Sequence, residues 1–481
     1  MPENSWTEND LGNELDPITS LLSDLDDEDF ESDFFFQGLE GRRRKAAVTL
    51  TAIWGGTIIL HLVSWGSWLI WGFTALLGIQ AMRVLLARPL KTPKPLADNT
   101  QVDFPYVSLL VAAKNEEAVI SNLVRRLCDL DYPKIRYEVW VIDDHSTDQT
   151  PVLLDQLAIQ YSQLRVLHRS ADAGGGKSGA LNQVLPLTRG EIVGVFDADA
   201  QVPKDLLRRV LPLFGKGETG AVQVRKAIAN ASVNFWTRGQ MAEMALDTYI
   251  QQQRIAIGGI GELRGNGQFV RRAALESCGG WNEQTITDDL DLTIRLHLDK
   301  WDIGFLDFPP VEEEGVTNAF ALWHQRNRWG EGGYQRYLDY WRLIASNRMG
   351  TLKTLDLFSF MIIQYLLPAA AVPDCLMAIA RKSFPLLTPL TGLTLALPLI
   401  GMFVGLCRTK RDEPRTAASL LITLVQTLRG TLYMLHWMLV IAGITARISV
   451  RPKRLKWVKT VHQGSDSDSF EFELGSESKS S

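Results

Sequence analysis

Charge-free apolar stretches lie on both sides of a more polar central region of this chain. Residues 46–82 form the first, a stretch of 37 residues without a single Asp, Glu, Lys or Arg. One helix of that length would measure about 55 Å, whereas the hydrocarbon core of a bilayer is about 30 Å thick. The pattern therefore predicts a transmembrane hairpin over 46–87 that turns near residues 64–67. A buried hairpin of a soluble protein is the alternative, and the absence of charge disfavours it.

Apolar segments return near the other end of the chain, at residues 357–380, 384–407 and 416–446. The last of them is long enough for one tilted span or two short ones. Lys and Arg residues cluster on both of its flanks, at 408–415 and 451–459. Since such clusters remain in the cytoplasm, two short passes fit best. We predict three or four transmembrane helices over 357–446, and six spans in the whole chain.

The central region, residues 103–330, has the pattern of a soluble α/β domain. Short apolar runs at 107–112, 138–142 and 191–196 each end in a polar loop, and helical patterns lie between them. That alternation predicts a parallel sheet that binds its ligands at the carboxyl ends of the strands.

Residues 331–350 connect this domain to the second apolar region. Tyr334, Tyr337, Leu338 and Trp341 recur at the i, i+3, i+4, i+7 spacing of an amphipathic helix. We predict a helix that lies on the membrane surface. A helix that faces a protein core has the same periodicity, so that alternative stays open.

The distribution of charge adds a further constraint. The 481 residues carry a net charge of −5, but residues 1–41 contain 13 acidic side chains and no Lys or Arg. Residues 463–481 contain five acidic side chains and one Lys. Both segments are predicted to be disordered acidic tails. The body between them, 42–462, has 49 basic and 37 acidic residues, a net charge of +12. Such a body favours an anionic partner, either nucleic acid, anionic lipid or a phosphorylated ligand.

The motifs of the chain argue against nucleic acid as this partner. The four cysteines, at positions 128, 278, 375 and 407, are too far apart for a zinc finger or a disulfide framework. The chain also contains no nucleic-acid recognition module. The partners that remain are anionic lipid and a phosphorylated ligand.

Carboxylates directly follow two of the predicted strands. Asp143 and Asp144 come after the second strand, and Asp197 and Asp199 after the third. An Asp-x-Asp turn can hold Mg²⁺ or Mn²⁺, whose open positions accept phosphate oxygens. Asp-x-Asp alone is a weak signal, since a solvated turn is the default. Its position after a buried apolar run favours a metal site at Asp197 and Asp199.

A glycine-rich loop lies between these strands, at residues 174–176, and is followed by Lys177. Glycines let the backbone approach a ligand closely, and the lysine supplies a positive charge for phosphate. The spacing is not that of a P-loop. A flexible loop before a helix is the alternative.

A third acidic cluster begins at Thr287, which can cap a predicted helix. It consists of Asp288, Asp289 and Asp291. Acids are stabilising at the positive end of a helix, but that effect accounts for one or two of them, not three. A basic and aromatic motif, residues 325–329, then precedes the predicted surface helix. A basic stop before the membrane is its alternative interpretation.

These motifs, in this order, resemble the membrane-bound, cellulose-synthase-like glycosyltransferases of family 2, which invert the configuration of the sugar they transfer. The resemblance covers about residues 106–335 and the flanking membrane segments. One departure is Asp288, since the family usually has Thr-Glu-Asp where this chain has Thr-Asp-Asp. The motifs that carry the resemblance are Asp144, Lys177 with its glycines, Asp197 and Asp199, residues 264–267 and 279–281, Thr287 to Asp289, and Gln325, Arg328 and Trp329.

The resemblance implies a GT-A fold, a Rossmann-like nucleotide-sugar domain inserted between transmembrane helices, with Mg²⁺ or Mn²⁺ as cofactor. Asp289 would be the general base, with its pKa raised by Asp288 and Asp291. The resemblance implies that Asp144 binds uracil and that Lys177 and Arg328 bind the pyrophosphate. Asp197 and Asp199 would bind the nucleotide sugar and the metal, and Gln325 would also bind the nucleotide sugar. Trp329 would bind the donor as well and form the floor beneath the acceptor, and Asp143 and Asp288 would support the acidic turns.

The full layout is most similar to members of the family that transfer glucose from UDP-glucose to diacylglycerol in cyanobacteria. That similarity implies a lipid acceptor, a β-linked product that feeds galactolipid synthesis, and a cytoplasmic catalytic domain on the inner or thylakoid membrane. Two alternatives stay open. A processive polysaccharide synthase uses the same motifs but needs a channel wide enough for its polymer. A membrane scaffold that binds nucleotide sugars without catalysis is the other.

Overall fold

A computed structural model describes residues 41–97, 104–410, 414 and 416–450. Its first two helices, α1 (Arg42–Leu62) and α2 (Gly66–Leu86), form a hairpin. The reversal takes up residues 63–65, next to the turn that the sequence predicts. The predicted acidic tails, 1–41 and 463–481, lie outside the described residues except for Gly41.

A seven-stranded sheet forms the central domain, in the order β3-β2-β1-β4-β6-β5-β7. Strands β3, β2, β1 and β4 are parallel to one another, as are β5 and β7, whereas β6 is antiparallel to both of its neighbours. The strands are β1 (Val107–Ala113), β2 (Tyr137–Asp143), β3 (Leu164–His168), β4 (Ile192–Phe196), β5 (Thr219–Ile228), β6 (Gln268–Arg271) and β7 (Asp302–Glu313).

Seven α-helices belong to this domain among the described residues. One apolar cluster lies on each face of the sheet, and neighbouring residues of β1 such as Leu109 and Leu110 point into different clusters. The helices are α3 (Ile120–Cys128), α4 (Thr150–Gln160), α5 (Gly176–Val184), α6 (Leu206–Val210), α7 (Phe235–Ala256), α8 (Arg272–Ser277) and α9 (Asp288–Leu298).

The prediction of a parallel sheet is confirmed for the three strands read from the sequence, which are β1, β2 and β4. It is wrong for β6. The helix between β5 and β6 is α7, and it packs mainly on two of the later apolar helices rather than forming a crossover on the sheet. A parallel return to the sheet needs such a crossover, whereas an antiparallel strand does not.

A long helix, α10 (Ala319–Ala345), follows the sheet and runs through residue 330, where the sequence pattern places a domain boundary. Its residues Tyr334, Tyr337 and Leu338 are buried in a cluster that includes residues of α1 and α9, while Trp341 is 45% exposed. The apolar stripe therefore faces protein, as in the core-facing alternative.

Five helical stretches of the described residues are long and apolar enough to cross a membrane, judged by length and composition. They are α1, α2, residues 351–381, α13 (Thr388–Thr409) and residues 417–450. The third contains α11 (Thr351–Met361), a π-helical segment (Ile362–Leu366) and α12 (Leu367–Arg381), and the last contains α14 (Ala417–Met434) and α15 (His436–Val450).

The predicted count of six spans is not met in the part of the chain that the structure describes. The sixth span requires a reversal inside residues 416–446. Leu435 lies between α14 and α15, but its backbone stays right-handed helical, with φ −60° and ψ −25°. The chain therefore continues in one direction instead of turning back.

Candidate active site

A cavity of 1690 Å³ opens at the carboxyl ends of the central strands and continues between the apolar helices. It brings together side chains that follow β2 and β4 with side chains of α5, α9 and α10, which are far apart in the sequence. The predicted site residues that line it are Asp144, Lys177, Asp197, Asp199, Asp288, Asp289, Gln325, Arg328 and Trp329.

Asp143 is the predicted residue that does not line this cavity. Its carboxylate accepts a hydrogen bond from the Ser146 amide at 3.1 Å and contacts Nδ1 of His168 at 2.9 Å. The residue is only 3% exposed. These contacts hold the end of β2 and the loop after it, outside the cavity.

Asp144 lies at the rim of the cavity, between two basic side chains. Its carboxylate is 2.5 Å from Nη1 of Arg169 and 3.5 Å from Nζ of Lys114. Arg169 follows β3 and also donates to the carbonyl of Gly174 at 2.5 Å. The arginine thus ties the glycine loop to Asp144. Sequence reasoning missed Arg169, although its position directly after a strand was an available signal.

Lys177 lies in the first turn of α5 and pairs with Asp197, with Nζ 2.6 Å from Oδ1. Gly175 and Gly176 have φ of 78° and 53°, so the chain enters this helix through a left-handed turn that glycine adopts readily. Burial opposes the charge of Lys177, but Asp197 and Asp288 raise its pKa above the ordinary value. Burial likewise opposes the charge of Asp197, and Lys177 lowers that pKa. The pair is therefore ionised, and the charged ammonium group of Lys177 lies in the cavity.

Asp199 lies beside a second carboxylate, that of Glu313 at the end of β7. Burial, followed by the charges of Glu313 and Asp197, raises the pKa of Asp199 to about 7. Its Oδ2 accepts a hydrogen bond from the Glu314 amide at 3.0 Å. Lys226 of β5 pairs with Glu313 at 2.8 Å. Sequence reasoning missed Lys226 and Glu313, because they meet only through the pairing of β5 with β7.

Two carboxylates at this end of the cavity suit a divalent cation that binds together with a phosphorylated ligand. The described residues contain no group of three or more His, Cys, Asp and Glu side chains that could hold a metal. Asp197 and Asp199 supply carboxylate oxygens, the donors that Mg²⁺ and Mn²⁺ prefer. Mg²⁺ commonly takes one or two carboxylates and completes its shell with phosphate oxygens and water. A cation bound here would also reduce the electrostatic repulsion between the carboxylates of Asp199 and Glu313.

Asp289 lies in the first turn of α9, and its Oδ1 accepts a hydrogen bond from the Leu290 amide at 2.8 Å. Burial and the charge of Asp288 raise its pKa to about 6, while Lys177 acts in the opposite direction. Gly265 lies across from it with φ of 81°, and a Cβ there would be 3.4 Å from Oδ2 of Asp289. This positive φ, which glycine adopts readily, brings the backbone beside the carboxylate of Asp289.

Two expectations about this turn need correction. Asp291 was expected to raise the pKa of Asp289, but it is 2% exposed and pairs with Arg295 at 2.8 Å. Thr287 occupies the N-cap position of α9 but makes no capping hydrogen bond. Its Oγ1 packs on Gly332 instead. Tertiary packing directs both side chains away from their predicted roles.

Trp329 packs against Arg326, a buried member of the same motif for which the sequence predicted no binding role. The guanidinium carbon of Arg326 lies 4.1 Å from the centre of the indole ring, and its Nη2 is 2.6 Å from Glu243 of α7. Nζ of Lys226 lies 5.5 Å from the same ring. Arg328 interacts with the charges of Asp197, Asp289 and Asp288, so it faces the cavity.

Comparison with known proteins agrees with this geometry. Residues 105–332 match the model of a family described as glycosyltransferase like family 2. Over 472 residues the chain is 62% identical to a beta-monoglucosyldiacylglycerol synthase of Nostoc sp., which covers 96% of this chain and 99% of that protein. The chain belongs to this synthase family.

A second relative supports the same family assignment, and a solved structure supports the fold. A beta-monoglucosyldiacylglycerol synthase of Synechocystis sp. is 60% identical over 479 residues, with 98% of this chain and 99% of that protein covered. Among solved structures, a mannosyltransferase from Pyrobaculum calidifontis in complex with GDP-mannose and Mn²⁺ has a TM-score of 0.50 at 22% identity, covering 82% of this chain and 99% of that chain. The predicted family and the GT-A fold are thereby confirmed, and the chain is a glycosyltransferase.

Proposed function

We propose that this glycosyltransferase moves glucose from UDP-glucose to the free hydroxyl of 1,2-diacylglycerol and forms a β-glucoside. The continuity of the cavity carries this proposal, since charged residues line one end and aliphatic residues of membrane helices line the other. Pockets for one drug-sized ligand have volumes of about 300–1000 Å³. A cavity of 1690 Å³ suits a nucleotide sugar and a lipid together. The names of the relatives support glucose and diacylglycerol as the two substrates.

The donor lies at the charged end of the cavity. Asp144 accepts hydrogen bonds from the uracil ring, and Lys177 and Arg328 bind the diphosphate. On binding, the diphosphate competes with Asp197 for the Lys177 ammonium. Gln325 binds the donor as well, and Trp329 forms the floor beneath the acceptor.

Asp289 acts as the general base. Its carboxylate takes the proton of the acceptor hydroxyl while that oxygen attacks the anomeric carbon from the side opposite UDP. The bond from the anomeric carbon to the UDP oxygen breaks, and the electron pair leaves with UDP. One displacement inverts the configuration, so an α-linked donor gives a β-glycoside. Lys177 and Arg328 stabilise the negative charge that accumulates on UDP.

A divalent cation, Mg²⁺ or Mn²⁺, would be held by Asp199 together with Asp197, and it would supply charge compensation for the diphosphate. The catalytic domain is proposed to face the cytoplasm. Residues 42–45, all Arg or Lys, form the first turn of α1, and Arg83 and Arg88 lie at or beyond the end of α2. These basic flanks favour a cytoplasmic location for both ends of the hairpin.

The direct test uses the purified full chain with UDP-[¹⁴C]glucose, Mg²⁺ and 1,2-diacylglycerol in detergent micelles. We expect radioactivity in a chloroform-soluble monoglucoside whose anomeric proton has the coupling of a β-linkage. An EDTA-treated sample is the control for metal dependence. An α-glucoside would contradict the inverting mechanism. A chain-extended polymer would instead favour the polysaccharide synthase.

The pH dependence of kcat provides a separate test of Asp289. Since only the ionised carboxylate accepts a proton, we expect kcat to rise with pH through about 6 and to fall about tenfold per unit below it. Asp288→Asn removes a negative neighbour, so it should lower the pKa of Asp289 and move the rising limb to lower pH. Asp299→Asn, at the other end of α9, is the matched control. An unchanged limb in the Asp288 variant would disprove this electrostatic coupling.

A further inference from the structure

The cavity changes character between the catalytic turn and the membrane helices. Beyond Asp289 it is lined mainly by aliphatic side chains from α2, α12, α13 and α15. Acyl chains must stay out of water while the glycerol hydroxyl reaches the carboxylate, and an apolar chamber between membrane helices allows both. Its lining includes Leu77, Leu85, Leu367, Leu395 and Met438.

The catalytic turn and the membrane helices meet at two glycines of α10. Thr287 packs on Gly332, and Tyr365 of the π-helical segment packs on Gly333, where a Cβ would also lie 3.5 Å from Cδ1 of Leu290. A side chain at either glycine would collide with these neighbours. The turn that carries Asp289 and the π-helical segment therefore share one contact point on α10.

Two glutamines next to this contact point line the cavity. Gln335 lies two residues after Gly333 and is 3% exposed, and Gln364 directly precedes Tyr365. The Oε1 atom of each is buried and has no hydrogen-bond partner among the residues that the structure describes. Buried polar atoms nearly always have a partner, so these two carboxamides are suited to a ligand. The π-helical turn around Gln364 agrees with this, because such turns occur frequently at functional sites.

We propose that Gln335 and Gln364 form a carboxamide collar that holds the glycerol diester of the lipid acceptor at the mouth of the apolar chamber. This inference rests on the proposed function and adds the groups that recognise the acceptor. A diacylglycerol has one hydroxyl, which Asp289 needs, and two ester carbonyls that can only accept hydrogen bonds. The unpartnered Oε1 atoms cannot bind these carbonyls as they stand, but the terminal torsion of a carboxamide is freely populated, and a half-turn exchanges the oxygen with the nitrogen. That half-turn places N–H donors where the unpartnered atoms lie, and these donors can bind the carbonyls.

If the collar binds the ester carbonyls, the rate of glucosyl transfer should depend on the ester groups of the acceptor. The test measures initial rates of the full chain in mixed micelles with 1,2-diacylglycerol and with 1,2-dialkylglycerol, an ether lipid that keeps the hydroxyl but lacks the carbonyls. Gln335→Met and Gln364→Met remove the amide at nearly constant length. Gln426→Met is the matched control, because its Oε1 is also buried without a partner in the described residues, but it does not line the cavity.

We expect each collar variant to lower kcat/KM for diacylglycerol by about 5- to 10-fold, the effect of losing one hydrogen bond. The same variants should change kcat/KM for dialkylglycerol by less than about twofold and leave KM for UDP-glucose unaltered. Equal losses with both lipids, or values that match Gln426→Met, would overturn the collar. Absence of glucolipid from the unmodified chain with either lipid would overturn the proposed function itself.

Discussion

Replacement of Asp289 by asparagine should lower the rate of glucosyl transfer by about 10³-fold, the usual size of a general-base contribution. Asparagine has nearly the same shape but cannot take the proton of the acceptor hydroxyl. The Leu290 amide can still donate to the side-chain oxygen, so the first turn of α9 should keep its structure. The rate is measured as formation of labelled glucolipid, and UDP binding is measured by isothermal titration calorimetry.

Two controls accompany this variant. Asp299→Asn makes the same chemical change at the far end of α9 and should retain activity. UDP affinity of the Asp289 variant should stay within about twofold of the unmodified chain, since the proposed diphosphate ligands are Lys177 and Arg328. Activity of the Asp289 variant within tenfold of the unmodified chain would mean that another group, with Asp288 the nearest candidate, acts as the base.

Glu262→Gln should cause a large loss of stability. Glu262 is fully buried and lies 2.7 Å from Arg264, 3.1 Å from Arg336 and 3.6 Å from Arg254. Burial alone would raise its pKa, but Arg336, Arg264 and Arg254 hold the pKa well below the ordinary value. Removing this carboxylate takes the acidic partner from the buried Arg336, at a cost of about 3–5 kcal/mol, whereas Arg254 and Arg264 still pair with Asp356 and Asp247. We expect the apparent Tm in detergent to fall by about 10 °C.

Glu276→Gln is the matched control for this prediction. Glu276 also pairs with an arginine, Arg272 at 3.6 Å, but its side chain is 58% exposed. Exposed pairs contribute at most about 1 kcal/mol, so its Tm should change by about 3 °C or less. Glu262 and its three arginines form a buried network that connects the sheet domain to α10. Equal Tm values for the two variants would contradict a stabilising role of this network. That network continues to the membrane helices, because Arg254 also pairs with Asp356 of α11 at 2.8 Å.

Several parts of the site were predictable from local sequence. Asp144, Asp197 and Asp199 follow buried strands, and parallel strands bring their carboxyl ends to one edge of a sheet. The three strands that the sequence indicated are present, and the acids after them lie together. For Asp289, burial is the larger cause of the raised pKa, and the charge of Asp288, which the sequence indicated, adds to it because residues in one helical turn share their electrostatic environment.

Other parts depended on contacts that no local pattern encodes. Lys226 and Glu313 are separated by 87 positions and meet because β5 pairs with β7. Asp291 looked equivalent to Asp288, but the pitch of the helix turns it toward Arg295. The periodicity of α10 could not distinguish a membrane surface from a protein surface, since both bury one apolar stripe.

The sequence by itself indicated where the apolar segments lie, the α/β domain, the family and most of the residues that line the charged end of the cavity, because hydropathy, strand period and motif order are local properties. Tertiary structure alone decided the antiparallel β6, the continuous helix through Leu435 and the buried network around Glu262. It also decided that one cavity joins the charged site to the apolar chamber, with Gln335 and Gln364 between them. The physical reason is that a cavity and its unpartnered polar atoms exist only where distant elements pack against one another.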